Sequence, residues 1–250
     1  MLKEMFDLTG KTALVTGSNR GIGKAILYVL AEAGADVVLH CRKECESALY
    51  VMNDINKNGR SCSAVYADLA DPDAADVIAS TVQPDILVIN ASVQIRRDFF
   101  EITDEDLDMQ VNVDLRSTIK LIQLLSPRML ENCSGRIILI GSVQEKKPHP
   151  EMAVYSVLKS AMSNLVAGLS VKFAPYGVTV NNIAPGTILT DRNTEVLADP
   201  EYERRVRSMI PIGFIGEPRD ISGCALLLAS DAGRYITGQN IYIDGGKSAQ

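Results

Sequence analysis

The chain has 250 residues, of which 46% are hydrophobic and 22% charged, a composition typical of a globular α/β protein and not of a disordered one. A net charge of −6, with no cluster of Lys and Arg, argues against a general nucleic-acid binder. No apolar run approaches the length of a membrane span, and the N-terminal residues lack a signal-peptide pattern, so we expect a cytoplasmic protein with no membrane partner. The five cysteines lack metal-ligand spacing, which predicts free thiols and no metal.

The first elements predict a site for a dinucleotide. An apolar run at 11–16 indicates a buried strand, a glycine-rich loop follows at 17–23, and a helical pattern then continues to residue 33. This order aims backbone N–H groups and the positive end of a helix at a pyrophosphate, although the spacing G-x-x-x-G-x-G is not the usual dinucleotide fingerprint. The candidate cofactor contacts in the loop are Gly17, Ser18, Asn19, Arg20, Gly21, Ile22 and Gly23.

The second predicted strand, residues 36–41, bears on the choice of cofactor. Dinucleotide folds often carry at this strand end an acid that binds the ribose 2′-hydroxyl. Here Cys41 and then Arg42 follow, so no carboxylate repels a 2′-phosphate and a guanidinium is available to pair with it, with Arg20 as a second partner. We therefore expect NADP(H), with NAD as the second choice. The alternative is that Arg42 is a solvated loop residue.

The rest of the chain alternates between helical and strand patterns without a linker or a repeat. Strands are predicted at 61–67, 85–90, 135–141, 178–182 and 239–243, and helices at 43–58, from 71, at 103–130, around 155–175 and from 218. Continuous apolar strands between helices indicate a doubly wound, Rossmann-type three-layer α/β sandwich with a seven-stranded parallel sheet, in one domain over 1–250. Residues that follow the carboxyl ends of strands should face one crevice.

A serine, a tyrosine and a lysine provide the candidate catalytic groups. Ser142 follows the fifth strand, and Tyr155 and Lys159 are four residues apart, which places them on one face of a helix. A neighbouring cation favours the phenolate over the phenol, so such a tyrosine can exchange a proton with a substrate oxygen. Taken alone, the pair is more often a packed tyrosine beside a solvated lysine, and only the upstream cofactor loop makes a catalytic role credible.

These motifs occur in the order found in the short-chain dehydrogenase/reductase family, which the chain resembles over essentially its whole length. The resemblance rests on TGSNRGIG at 16–23, Asp68, Asn90-Ala91, Asn112, Ser142, Tyr155-x-x-x-Lys159, Pro185-Gly186 and ITGQNIYIDGG at 236–246. It implies a nicotinamide cofactor, a small-molecule carbonyl or alcohol substrate, and a catalytic tetrad of Asn112, Ser142, Tyr155 and Lys159. In that scheme Lys159 also holds the nicotinamide ribose, and Asn112 supports a proton-relay water. The further cofactor contacts it implies are Asp68, Leu69, Asn90, Ala91, Ser92, Pro185, Gly186, Ile188 and Thr190.

The chain departs from the family pattern after the fourth strand, where Asn-Asn-Ala-Gly becomes Ile89-Asn90-Ala91-Ser92. Ser92 places a side chain where a glycine lets the cofactor pass, so weaker binding or a shifted ribose is expected. The next residues, Val93 to Arg97, are similar to a segment of gluconate 5-dehydrogenases and related sugar-acid dehydrogenases.

That similarity suggests substrate contacts. An arginine at the crevice can clamp a carboxylate, which suggests Arg96, whereas Gln94 and Gln144 can bond hydroxyls. Thr187 begins a predicted lid at 187–212 and is the fourth candidate. Alternatively, Arg96 and Arg97 form ordinary surface ion pairs.

Three functions follow from these observations. The first is NADP(H)-dependent oxidation or reduction of a hydroxy/keto sugar acid or polyol. The second is reduction of a 3-oxoacyl thioester carried by an acyl-carrier protein, and the remote third is a cofactor-binding regulator without activity. Long apolar helices and the family resemblance favour a homotetramer.

Overall fold

The computed structural model describes residues 2–250, apart from the side chain of Glu195. Seven parallel strands form one sheet in the order β3-β2-β1-β4-β5-β6-β7. The chain adds strands in one direction from β1 to β3 and in the other direction from β4 to β7, so the strand order reverses between β1 and β4. The predicted doubly wound α/β fold is confirmed. The strands are β1 (Thr12–Val15), β2 (Asp36–Cys41), β3 (Cys62–Tyr66), β4 (Ile86–Ile89), β5 (Gly135–Ile140), β6 (Val178–Pro185) and β7 (Asn240–Ile243).

Helices cover both faces of the sheet. They are α1 (Leu2–Met5), α2 (Gly21–Glu32), α3 (Glu46–Lys57), α4 (Ala74–Thr81), α5 (Asp104–Gln110), α6 (Ser117–Glu131), α7 (Ala153–Phe173), α8 (Thr194–Leu197), α9 (Pro200–Ser208) and α10 (Pro218–Ala229). One apolar core joins the sheet to α2, α3 and α10, and a second joins it to α4, α6 and α7. Strand side chains alternate between the two cores, with Ala13 and Val15 in the first and Leu14 in the second.

The long helix predicted at 103–130 is interrupted. It begins at a capping box between Thr103 and Asp106, as the sequence indicates. A π-helical segment, Val111–Arg116, then separates α5 from α6. Each π turn holds one residue more than an α turn, so this segment changes which side chains face α7. The interruption matters for the site described below.

One helical segment, Pro150–Tyr176, is long and apolar enough to cross a membrane by length and composition, with a mean hydropathy of 1.2. The sequence analysis overlooked this segment. It contains α7, whose inner residues Met162, Val166 and Phe173 belong to the second apolar core. A core helix of a water-soluble fold meets the same criterion, so the segment is weak evidence for a membrane partner.

Candidate active site

The glycine loop between β1 and α2 is folded tightly against the end of β4. Gly17 has φ +62°, and a Cβ there would lie 3.0 Å from the Cα of Ala91. The Asn90 amide donates to the carbonyls of Thr16 and Gly17 at 2.9 and 3.0 Å. A Cβ on Gly23 would meet that same amide at 2.5 Å, so only glycine allows this approach. The contacts bring Asn90 and Ala91 to the loop, as the sequence suggests.

The N-terminus of α2 has the features of an anion-binding site. Arg20 is its N-cap residue and makes no side-chain capping hydrogen bond, so the first backbone N–H groups lack a side-chain acceptor. Thr190 reaches this point, since a Cβ on Gly21 would lie 3.5 Å from its Cγ2. These residues fit a dinucleotide phosphate. The Asn19 side chain instead turns to Ser47, at 3.0 Å, and Ile22 packs against the first apolar core.

His40 supports the loop from below and was missed by the sequence analysis. Gly17 N–H donates to His40 Nδ1 at 3.2 Å, and the other ring nitrogen lies 3.0 Å from the carbonyl of Ala67. The ring therefore carries its proton on Nε2 and accepts at Nδ1. Ser18 is fully buried and bonds the carbonyl of Val15 and the backbone N–H of His40. Its hydroxyl is thus committed to the fold rather than to a cofactor.

The adenosine end of the crevice is open. Arg42 is exposed and its Nε lies 3.9 Å from Asp68 Oδ2, a long and solvated ion pair. Arg20 is exposed as well, so both guanidiniums are accessible to a phosphate. Leu69 is buried in the second apolar core, where its side chain serves packing.

The catalytic candidates lie where β5 ends and α7 begins. Ser142 accepts a hydrogen bond from the backbone of Gln144 at 3.2 Å, which keeps its hydroxyl hydrogen available as a donor. Tyr155 is 6% exposed in the first turn of α7, and Lys159 Nζ lies 5.4 Å from the centre of its ring. Tyrosine and lysine thus share one helix face, as the spacing predicts.

Lys159 is buried and its ammonium is held from two sides. Nζ donates to the carbonyl of Ile140 at 3.1 Å and lies 3.1 Å from Asp114 Oδ1, with Met162 Sδ at 3.8 Å. Of its three N–H donors, two have strong acceptors. The third is held only by the weak sulfur acceptor of Met162, so it is the donor that a cofactor hydroxyl would compete for.

The structure places Asp114, and not Asn112, against Lys159. Residues two apart in a helix point to nearly opposite sides, so only one of the two can face α7. Asn112 lies on the other side of the π-helical segment, beside Asp71 and Lys120 in a small surface pocket. The side chain that pairs with Lys159 is therefore the carboxylate of Asp114, and the tetrad role of Asn112 stays a prediction.

Ser92 turns toward that carboxylate. Its hydroxyl donates to Asp114 Oδ1 at 2.5 Å, and the backbone N–H of Val93 donates to Oδ2 at 2.9 Å. The side chain that replaces the family's glycine is thus held by a hydrogen bond to Asp114.

The substrate candidates at the rim already have hydrogen-bond or ion-pair partners within the protein. Arg96 pairs with Glu151 and approaches His149, and Gln144 accepts from the His149 backbone at 2.6 Å. Gln94 donates to Met152 Sδ at 2.7 Å. Thr187 lies farther down, where its hydroxyl accepts from Lys247 at 3.3 Å.

A further arginine, Arg192, was missed by the sequence analysis. It comes from the segment after β6, and its guanidinium donates to the carbonyl of Ser92 at 2.9 Å and to Gln94 Oε1 at 3.4 Å. Both acceptors are neutral, and no ion pair of Arg192 is found among the described residues. Its only sequence signal is a position four residues beyond the cofactor candidate Ile188 and inside the predicted lid.

The remaining elements close the far side of the crevice. β6 ends at Pro185, and Gly186 passes so close to Asp244 that a Cβ would lie 2.6 Å from its Cα. Ile188 is buried and bridges to Gly216. Gly17–Gly23, Asn90, Ser142 and Pro185 thus follow the carboxyl ends of four adjacent parallel strands.

Comparison with known proteins agrees with this geometry. The family model described as enoyl-(acyl carrier protein) reductase matches residues 17–248. A 2-dehydro-3-deoxy-D-gluconate 5-dehydrogenase of Pseudoalteromonas atlantica is 37% identical over 248 residues, which are 97% of this chain and 98% of that protein. The chain belongs to the short-chain dehydrogenase/reductase family. As a member, it is an NAD(P)-dependent oxidoreductase.

Two further relatives are named as 3-oxoacyl (acyl-carrier-protein) reductases. A crystal structure of a 3-oxoacyl (acyl-carrier-protein) reductase of Agrobacterium tumefaciens with NADP bound superposes with a TM-score of 0.94 at 38% identity, covering 98% of this short-chain dehydrogenase/reductase and 97% of that chain. A 3-oxoacyl-[acyl-carrier-protein] reductase of Staphylococcus aureus is 34% identical over 241 residues, 94% of this chain and 97% of that protein. Both substrate classes expected from the sequence thus occur among its relatives.

The role of His40 predicts how stability depends on pH. Burial lowers the pKa of His40 from its ordinary value of 6.5 to about 4. Between these values the unfolded chain binds a proton that the folded chain does not. Stability from the neutral ring is therefore complete above about pH 6.5 and is lost as pH falls toward 4, by up to about 3 kcal/mol. Urea unfolding at pH 7 and pH 5 should show this loss.

His40→Asn should flatten that pH dependence, because the titrating ring is gone. The matched control is His149→Asn, which removes the other histidine and should leave the dependence in place. An unchanged dependence in His40→Asn would show that other groups cause it.

Proposed function

We propose that the protein transfers a hydride between NADP(H) and a secondary alcohol or ketone, most specifically a hydroxy/keto sugar acid or a polyol. The observation that carries this proposal is the arrangement of Tyr155 and Lys159. Both are buried, they share one face of α7, and the helix begins beside the serine that follows β5. That combination supplies a proton donor, a cation and a hydrogen-bond donor at the carboxyl edge of the sheet.

The crevice fits a phosphorylated dinucleotide. The loop glycines leave room for a backbone approach, the α2 N-terminus has uncapped N–H groups, and Arg42 is exposed at the end of β2. When bound, NADP(H) supplies or accepts the hydride. Arg42 favours binding of the 2′-phosphate, although the nearby carboxylate of Asp68 partly offsets its positive potential. A strong preference for NADH over NADPH would contradict this role of Arg42.

The chain's own residues perform the proton chemistry. The hydroxyl of Ser142 donates a hydrogen bond to the substrate oxygen and orients it. In reduction, Tyr155 gives its phenolic proton to that oxygen as the carbonyl carbon is reduced, and in oxidation it takes the proton back. By resemblance, Lys159 binds the nicotinamide ribose, and the donor available for it is the one that faces the weak acceptor Met162 Sδ.

A carboxylate on the substrate would meet Arg192. The charge of Arg96 is compensated by Glu151, and Arg97 is paired with Asp106. Arg192, in contrast, donates to two neutral acceptors, Ser92 O and Gln94 Oε1, and within the described part of the chain no carboxylate pairs with it. A guanidinium that has no paired carboxylate and sits over the crevice can bind one from a substrate bidentately. This supports a sugar acid as the substrate, with Arg192 instead of Arg96 as the residue that binds its carboxylate.

The segment 187–212 that carries Arg192 is proposed as a lid. It comprises a short stretch bridged at Ile188 to Gly216, the helices α8 and α9, and a small apolar cluster of Leu197, Val206 and Ile210. The contacts between Arg192 and the segment after β4 join the two sides of the crevice. Closure over a bound substrate would exclude water from the hydride path.

An acyl-carrier-protein thioester remains the second candidate, and two relatives favour it. A carrier protein is acidic, so its docking would need a basic surface at the crevice mouth. At the rim, however, Arg96 is paired with Glu151 and Arg97 with Asp106, which leaves little net positive charge from these two arginines. An inactive regulator, the third possibility, had only the altered Asn90 segment in its favour, and Asn90 makes its two loop hydrogen bonds.

We also propose a homotetramer located in the cytoplasm. Exposed apolar side chains on the outer helices, among them Val157 and Val171 of α7 and Leu107 and Met109 of α5, would be covered by partner subunits. The five cysteines are free thiols, as a reducing compartment would keep them. A solution mass near the 27.1 kDa of one chain would contradict the oligomer.

Tyr155→Phe tests the catalytic role. The variant keeps the ring but lacks the proton donor, so kcat should fall by about 10²- to 10⁴-fold while the affinity for NADP(H) changes little. Turnover is measured spectrophotometrically, and cofactor binding by calorimetry. The control is Tyr176→Phe, which removes an exposed hydroxyl at the end of the same helix region and should have normal kcat. Near-normal turnover of Tyr155→Phe would refute the mechanism.

Arg192→Met tests the substrate class. With a 5-keto sugar acid, KM should rise by roughly 10- to 100-fold, because a charge-assisted hydrogen-bond pair is lost. With a polyol that lacks a carboxylate, KM should stay the same. Arg96→Met should have the smaller effect, and Arg204→Met, which removes an exposed arginine from α9, is the matched control.

The same substrate panel separates the candidates. Turnover of acetoacetyl thioester without turnover of any keto sugar acid would favour the acyl-thioester reductase.

A further inference from the structure

The carboxylate of Asp114 is surrounded by donors. Lys159 Nζ lies at 3.1 Å, Ser92 Oγ at 2.5 Å and the backbone N–H of Val93 at 2.9 Å. The Asp114 and Lys159 side chains are 0% and 1% exposed. An amide in this place would turn its NH₂ group toward one of these donors, so the surroundings select an ionised carboxylate.

Two departures from the family pattern meet at this point. The resemblance leads to an asparagine in the tetrad and a glycine at position 92. This chain has Asp114 against the lysine and Ser92 bonded to Asp114. The serine hydroxyl donates a hydrogen bond that the carboxylate accepts. The two residues are therefore structurally linked and are not two unrelated changes.

The arrangement changes the electrostatics of Tyr155. A lone ammonium beside the ring attracts the phenolate and promotes loss of the phenolic proton. A carboxylate 3.1 Å from that ammonium opposes its field at the tyrosine, because the two charges are close together and shielded from water.

We propose that Asp114 is a positioning residue that acts through Lys159, keeping Tyr155 as a protonated phenol at neutral pH and favouring carbonyl reduction. This inference rests on the proposed function and deepens it. In reduction the carbonyl carbon accepts the hydride, the C=O π electrons pass to oxygen, and that oxygen takes the phenolic proton of Tyr155. The phenolate then regains a proton from solvent. Ser92 holds Asp114 in place through its hydrogen bond and thereby contributes to the same positioning of Lys159.

The ionisation of Tyr155 can be measured without substrate or cofactor. The chain has no tryptophan, so the near-ultraviolet absorbance of tyrosinate is unobscured. The difference between a pH titration of the wild-type protein and one of Tyr155→Phe isolates this one phenol. The wild-type difference should show no tyrosinate at pH 8, and a clear tyrosinate signal there would overturn the proposal.

The second comparison is made in the Asp114→Asn background, between Asp114→Asn and Asp114→Asn/Tyr155→Phe. The pH at which Tyr155 ionises should be lower by about one unit or more, because the ammonium is no longer compensated. Asp108→Asn is the control, since it removes the same charge from an exposed position on α5 and should leave the titration unchanged. Equal titrations with and without Asp114 would reduce the residue to a structural support.

Should Asp114→Asn not fold, Ser92→Gly/Asp114→Asn replaces it. The glycine leaves space for a water between the amide and the ammonium. Even if neither variant folds, a tyrosinate signal of the wild-type protein at pH 8 would refute the proposal.

Kinetics separate this inference from the function on which it rests. In Asp114→Asn the acid limb of kcat/KM for alcohol oxidation should move to lower pH by the same amount as the absorbance titration. A purely structural role would lower kcat or stability and leave the limb in place. If the Tyr155 titration shifts in Asp114→Asn but the protein neither oxidises nor reduces any substrate of the panel, the proposed function is refuted. The charge coupling between Asp114, Lys159 and Tyr155 would then still stand.

Discussion

The candidate site depends on one buried ammonium group, that of Lys159. An isolated charge loses its hydration when it is buried, so it must be given acceptors by the protein. Three separate elements supply its surroundings: α7 carries the lysine, β5 contributes the carbonyl of Ile140, and the π-helical segment contributes Asp114. The pairing therefore fixes how α7 lies relative to the sheet edge, and with it the place of Tyr155.

The second constraint is steric and concerns the glycine loop. Loop, strand end and neighbouring strand approach each other so closely that Cβ atoms at Gly17 and Gly23 would touch Ala91, Asn90 or the loop itself. Because the glycines have no side chains, the Asn90 amide can approach the loop and hydrogen-bond its backbone carbonyls. His40 holds the loop from the opposite side as a neutral acceptor, so the binding surface and the stability of β2 are connected through one imidazole.

Much of the fold could be predicted because its signals are local. Apolar runs marked all seven strands, and the capping box at Thr103 marked the start of α5. The interruption of the long helix could not be predicted, since a π turn differs from an α turn by one residue and depends on packing. Within this π-helical segment it is position 114 that faces the lysine. The sequence motif suggested Asn112, and the packing of α5 and α6 on α7 selected Asp114.

The sequence by itself determined the parallel sheet, the family, the glycine loop and the tyrosine–lysine pair, because periodicity and short spacings are written along the chain. Only the tertiary structure decided which charges neutralise each other. It paired Arg96 with Glu151, placed Arg192 against a neutral acceptor, and joined Ser92 to Asp114 and Asp114 to Lys159. These partners are 55 residues apart in the first case and 22 and 45 in the last two, so their contact follows from the packing of distant elements and from no local pattern.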